Sequence, residues 1–334
     1  MSEPVLTVDD LAVDFHTQGG TVEAVRGVSF SVNRGETLAI VGESGCGKSV
    51  TMQALLGLIP MPPGRIRRGQ ATLLGTALLP HRPEVLNAVR GKRVGMIFQD
   101  PMSALNPTMR IGDQISETLR IHLGLSRHAA AERAVALLEE VRIPEAATRA
   151  RQYPFEFSGG MLQRAMIAMA LACGPDLLIA DEPTTALDVT IQAQILELLA
   201  KLQAEKGMAI LLITHDLGVV AQVAHRVAVM YAGEIVETAP VETLFAQSAH
   251  PYTQGLRRAT PSNLPGAVQV LRPIDGSPPD LFAPPPGCAY AARCPEAMAL
   301  CVREAPPIFT PAPEQFARCW RLHPQAPASG GEHG

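Results

Sequence analysis

The sequence predicts an α/β protein whose strands and helices alternate around a mostly parallel sheet, and three observations predict it. An apolar run, Leu38-Ala39-Ile40-Val41, leads straight into a glycine-rich stretch. A second run, Leu177-Leu178-Ile179-Ala180, is apolar at every position, as expected of a strand covered on both faces. Between such runs lie segments with helical periodicity, the alternation that builds a parallel sheet with crossover helices.

Taken in order, Leu11-Ala12-Val13-Asp14-Phe15 alternates as a strand, and after a Gly19-Gly20 turn a second strand covers Val22 to Val32. Leu38 to Val41 is the first buried strand; Val94 to Phe98 is the next and ends at Gln99. Helical periodicity runs from Gly112 to Ala150 and is clearest in the alanine-rich Arg127 to Arg142. A helix over Met161 to Cys173 precedes the strand Leu177 to Ala180. Helix Ile191 to Glu205, strand Ala209 to Ile213 and a hairpin over Val227 to Val236, turning at Ala232-Gly233, complete the alternation. Composition changes near Pro240: after a short helical piece, Val241 to Gln247, the chain becomes proline-dense beyond Pro261. The reading is a nucleotide-binding unit over 1–240, with a helical subdomain at 100–172. A linker over 241–265, an irregular extension over 266–325 and a disordered tail over 326–334 follow.

Composition excludes several classes. A net charge of −4 over 334 residues and 4% aromatic content argue against a nucleic-acid groove, so no nucleic-acid partner is expected. The longest apolar stretch, Ala165 to Cys173, is far short of the roughly 20 residues a bilayer-spanning helix needs. No charged-then-apolar leader opens the chain, so a soluble intracellular protein is expected. Its positive mean hydropathy of +0.13 fits a surface that partners cover.

Gly42-Glu43-Ser44-Gly45-Cys46-Gly47-Lys48-Ser49 has the pattern G-x-x-x-x-G-K-S, directly after a buried strand. Strand, glycine turn and helix together wrap backbone N–H groups around nucleotide phosphates. Glycines at 42, 45 and 47 let the backbone approach without a Cβ, and the helix start adds its positive dipole end. Lys48 is expected on the β- and γ-phosphates and the Ser49 hydroxyl on Mg²⁺, with Val50 in the first turn; ATP is the expected ligand. The strand at Leu177 ends in Asp181-Glu182-Pro183, which delivers Asp181 to Mg²⁺ and points Glu182 at the γ-phosphate as general base. Ser158-Gly159-Gly160 opens a helix 110 residues after Lys48 and 23 before Asp181, and makes a second anion site from backbone amides.

In that order of motifs the chain resembles the ATP-binding cassette (ABC) ATPases. The resemblance covers about residues 5 to 260 and includes Gln99, Ala186-Leu187-Asp188 and His215. It implies a P-loop fold with a RecA-like core, an antiparallel β subdomain and an α-helical subdomain. It also implies that Gln99 sits at the Mg²⁺ and the attacking water, and that His215 holds the γ-phosphate and Glu182. Ser158, Gly159, Gly160, Gln163 and Asp188 would contact ATP of an opposing subunit, and Phe15 is the candidate for stacking on adenine. Two departures from the family pattern, Phe157 before the Ser-Gly-Gly and Leu162 before Gln163, leave the phosphate-contacting atoms intact. Because the signature faces another subunit's phosphate loop, ATP is expected to glue two cassettes together.

Four cysteines fall late, as Cys288-x5-Cys294-x6-Cys301-x17-Cys319, in a proline-rich segment with little core of its own. No interval is the x2 of a zinc ribbon, so a metal or cluster staple other than a ribbon is expected. Cys46 and Cys173 read as small loop and core residues. With His250-Pro251-Tyr252-Thr253 before it, this tract resembles the C-terminal extension of dipeptide/oligopeptide transporter ATP-binding subunits. That resemblance implies a [4Fe–4S] cluster on Cys288, Cys294, Cys301 and Cys319. It implies two integral-membrane permease subunits, a second identical or related cassette, and an extracytoplasmic solute-binding protein as an indirect partner. The chain would then be peripheral on the cytoplasmic face of the inner membrane, with Ile111 to Leu125 on the permease-facing surface. The alternatives are an importer of nickel or another small solute, and a soluble non-transport ABC ATPase.

Overall fold

Five parallel strands order the centre of the molecule: Arg226–Tyr231, Thr37–Val41, Ala209–Thr214, Leu177–Asp181 and Val94–Ile97, side by side in that sequence. The computed structural model describes residues 3–185, 187–260 and 272–326. Thr37–Val41, Leu177–Asp181 and Ala209–Thr214 are buried at every position, because helices and the second sheet cover both faces. Glu234–Pro240 then adds antiparallel to Arg226–Tyr231. A hairpin from the extension, Phe309–Ala312 with Gln315–Ala317, continues the sheet through Glu237 opposite Ala317 and Thr238 opposite Phe316. Among the described residues this makes an eight-stranded sheet.

A second, antiparallel sheet holds Gly20–Asn33, Pro4–Thr17, Gly64–Leu73 and Thr76–Ala77. Its inner face, with Leu6, Val8, Leu11, Val25 and Val28, shares one core with Leu38, Ile40 and Met52 under the glycine loop. The helical region from Pro101 to Leu171 packs on the other side of the parallel sheet. There Ile111, Ile115 and Leu119 meet Leu137, Leu138 and Met166. The expected P-loop cassette, with its antiparallel and helical parts, is the fold observed.

The stretch expected to link cassette and extension carries two helices, Val241–Ala246 and Pro251–Ala259, with Leu244, Tyr252 and Thr253 fully buried. Glu237, buried in its strand, accepts hydrogen bonds from the backbone N–H groups of Ala249 and His250 and from Gln315 Nε2, which satisfies a charge placed in the interior. Residues 261–265 of that stretch, Ala186 and the tail from Pro327 lie outside the described residues. No helix among the described residues is long and apolar enough to cross a membrane.

Candidate active site

The glycine loop leaves Val41 and closes over the ends of the central strands. Gly47 takes φ +104°, a left-handed conformation, and a Cβ there would collide with the carbonyl oxygen of Ala24. Helix Lys48–Leu55 starts immediately after it. Lys48 is buried, and its Nζ donates to the carbonyl oxygens of Gly42 (2.7 Å) and Glu43 (3.1 Å), which holds the loop curled around the ammonium group. Ser44 and Gly45 form the exposed lip, while Cys46 is buried beneath it with a thiol pushed up chiefly by burial.

Ser49 Oγ donates to Asp181 Oδ1 at 2.9 Å, joining the loop helix to the end of strand Leu177–Asp181. Burial raises the Asp181 carboxyl, opposed by the Ser49 hydrogen bond; Glu182 beside it pushes the same way as burial. Glu182 follows in a left-handed conformation (φ 48°) that aims its side chain away from the strand. Its Oε2 accepts from Gln99 Nε2 and Thr185 Oγ1, each at 2.9 Å, and its Oε1 lies 3.3 Å from His215 Nδ1. Three strand ends therefore converge on one carboxylate. Thr185 escaped the sequence reading, although a hydroxyl three residues after the carboxylate is the signal that could have found it.

The signature behaves differently. Ser158 stands at the start of helix Gly159–Leu171 with its hydroxyl capping no backbone N–H, and Ser158 and Gly159 are exposed. Asp188 caps the helix Val189–Lys206 through a 2.9 Å hydrogen bond from the Ile191 N–H, and Val189 beside it is 83% exposed. Gln163 corrects the expectation: it is 2% exposed, on the packed face of its helix, with Nε2 unpartnered, so its side chain is not part of the exposed surface that Ser158 and Gly159 offer. Phe15 is half-buried in its strand opposite Gly64, on the apolar cluster that also takes Val50. Of the surface expected at Ile111 to Leu125, Ile111, Ile115 and Leu119 point into the core, whereas Ile121 and Leu123 are exposed. Exposed Phe98 and Met102 instead flank Gln99.

The four late cysteines come together. Cys288, Cys294, Cys301 and Cys319 line one small cavity with His250, Trp320 and Arg321, and all four are free thiols. Burial pushes Cys288 up to about 11 and Cys319 up to about 12, with the neighbouring thiols adding to the shift. No three His, Cys, Asp or Glu side chains among the described residues are grouped as a single metal ion requires.

Comparison with known proteins follows the same division of the chain. The family model for the ABC transporter matches residues 25–185, and that for the oligopeptide/dipeptide transporter C-terminal region matches residues 236–301. The oligopeptide transport ATP-binding protein OppD of Bacillus subtilis strain 168 is 55% identical over 97% of this chain and 90% of its own length. The dipeptide transport ATP-binding protein DppD of the same strain is 53% identical over 95% of each. Among solved structures, the post-hydrolysis dimer of the ATP-binding cassette MJ0796 with ADP and Pi superposes with a TM-score of 0.64 at 26% identity. It covers 71% of this chain and 98% of that one. The chain belongs to the ATP-binding proteins of ABC transporters, in the oligopeptide/dipeptide group.

Proposed function

We propose that this chain hydrolyses ATP to ADP and phosphate and couples that reaction to the import of dipeptides or oligopeptides through a membrane permease. One observation carries the reading: Glu182, held by Gln99, Thr185 and His215, stands next to the Ser49–Asp181 pair at the C-terminal ends of parallel strands. That is where an α/β sheet places its ligand.

The backbone amides of Ser44 to Ser49 would receive the phosphates, with Lys48 adding its charge. Ser49, Asp181 and Gln99 would hold Mg²⁺, which neutralises charge on the phosphate oxygens. Glu182 takes the proton of the attacking water as general base, and His215 orients that carboxylate while reaching the γ-phosphate. Phe15 would stack on the adenine. Exposed Ser158, Gly159 and Asp188, with half-buried Gly160, would close on the nucleotide of a second cassette. Two permease subunits would dock around Phe98, Met102 and Gln99, so that closure and hydrolysis are felt in the membrane. The chain would then lie on the cytoplasmic face of the inner membrane, and a solute-binding protein would act on the far side.

Cys288, Cys294, Cys301 and Cys319, which line one cavity, would be the thiolate donors of a [4Fe–4S] cluster. Their cavity, about 10 Å³, is near the size of one water molecule, so the thiols must part to seat a cluster. They must also lose their protons, which burial holds on Cys288 and Cys319.

Reconstitution of the chain with its permease subunits in vesicles tests the transport reading. ATP-dependent uptake of labelled di- and oligopeptides, lost in Lys48→Ala, is the expected result. Uptake of nickel but not of peptides would overturn it in favour of the metal importer.

A further inference from the structure

We infer that Arg293, supplied by the C-terminal extension, is a positioning residue for the phosphate loop and acts through Glu43. The inference rests on the reading of residues 42–49 as the ATP site and adds a residue from outside the cassette to it.

The geometry is specific. Arg293 Nη1 lies 2.7 Å from Glu43 Oε2 and Nη2 lies 3.0 Å from Glu43 Oε1, a bidentate fork across 250 residues of chain. Its other N–H groups are also used. Nε donates to the Asp275 carbonyl at 2.9 Å, Nη1 to the Tyr231 hydroxyl at 3.2 Å and Nη2 to the Ile274 carbonyl at 3.2 Å. All five guanidinium donors thus have partners, and the side chain is 5% exposed. The guanidinium also stands 5.8 Å from the Tyr231 ring centre and 6.0 Å from that of Tyr290. A surface arginine meeting a surface glutamate is rarely so fully determined.

Glu43 is held twice. Arg293 fixes its side chain, and the Tyr252 hydroxyl accepts a 2.9 Å hydrogen bond from its backbone N–H. Tyr252 packs in turn against Tyr231 and Tyr290, with ring centres 4.5 and 5.4 Å away. Residue 43 is the second of the loop, between Gly42 and the exposed lip at Ser44 and Gly45. A carboxylate pinned there sets the entry angle of the loop, whose Gly42 and Glu43 carbonyls also hold Lys48. Arg293 itself sits in a short 3-10 turn, Ala291–Arg293, closed by hydrogen bonds from Ala291 N–H to the Cys288 carbonyl and from Arg293 N–H to the Tyr290 carbonyl. The cysteine-bearing segment and the phosphate loop are therefore joined directly through this arginine.

The test is a double-mutant cycle in the full chain assembled with its permease subunits. KM for ATP, kcat, binding of a fluorescent ATP analogue and the melting temperature are measured for Arg293→Ala, Glu43→Gln and the pair. The expected result is a KM for ATP raised roughly tenfold in Arg293→Ala, with kcat changed less than twofold. The double variant is expected to be no worse than the more severe single one. A merely structural role would lower the melting temperature and the active fraction but leave KM alone. Glu43→Gln keeps the shape and removes only the charge, so it reports on the pair even where Arg293→Ala folds poorly. KM within twofold of the parent in both single variants, or effects that simply add, would overturn the inference. A parent protein that binds no ATP analogue would overturn the ATP-site reading itself, and the inference with it.

Discussion

Gln99 Nε2 donates a 2.9 Å hydrogen bond to Glu182 Oε2, tying the segment after strand Val94–Ile97 to the end of its parallel neighbour Leu177–Asp181. Gln99 is exposed and lies between exposed Phe98 and the short helix Pro101–Ala104 that carries Met102, so a partner pressing on that surface would move a residue bonded to Glu182, the proposed base. On that proposal the same bond would orient Glu182 for proton transfer. Glu182→Gln preserves the shape and, through its amide oxygen, can still accept from Gln99 and Thr185, but it removes the base. ATP binding should survive, while turnover falls by about 10² to 10⁴. Phosphate release measured beside equilibrium nucleotide binding checks this, and retained full hydrolysis would remove Glu182 as the base.

Gly47→Ala should damage the loop rather than the chemistry. The residue has φ +104°, and its carbonyl accepts hydrogen bonds from both Thr51 N–H and Thr51 Oγ1, each at 2.9 Å, so the first helical turn depends on it. Alanine brings backbone strain and a collision with the Ala24 carbonyl, a cost of about 2 kcal/mol or more. Denaturant unfolding should register that loss, and ATP binding should weaken with it. An unchanged unfolding midpoint would mean the loop has room that its geometry denies.

Ser158→Arg should separate nucleotide binding from cassette pairing. Ser158 is exposed and caps no backbone N–H, so a bulky charge there costs the folded chain within about 0.5 kcal/mol. Binding of ATP to the chain's own phosphate loop should be unaffected. Pairing of two Glu182→Gln cassettes in ATP should be lost when Ser158→Arg is added, as read by light scattering. Unimpaired pairing would count against a site shared between two subunits.

How much was legible in the sequence follows from where the information sits. Gly42 to Ser49, Asp181-Glu182 and Ser158-Gly159-Gly160 are local patterns in which backbone freedom, charge and helix starts fall at fixed spacing, so the chain itself announces them. Gln163 was misassigned because it shares a helix with an exposed signature but lies on the face turned to the core, and which face is covered depends on packing. The pairing of Arg293 with Glu43 joins residues 250 apart, and nothing near either one points to the other. The same holds for Tyr252, whose hydroxyl meets the Glu43 backbone only once the helix Pro251–Ala259 docks. The four cysteines stood out by count and spacing, but that they share one cavity is a property of the folded extension.

Cys294→Ser should show what the cysteine cavity does for the extension. Cys294 follows Arg293 in the turn that joins the cavity to the loop, and the surrounding segment has few buried apolar side chains of its own. The Cys288 N–H bonds the Cys301 carbonyl at 2.7 Å, and a Cβ on Gly287 would collide with that same carbonyl oxygen, so the backbones here pack closely around the thiols. If the thiols bind a cluster, protein purified anaerobically should contain iron and sulfide and absorb in the visible, and the serine variant should lose most of each. Protease cleavage within residues 272–326 should quicken in step, since a segment with little core relies on its staple. A colourless, iron-free parent whose extension resists protease as well as the variant does would show that the four thiols pack the extension without binding a cluster.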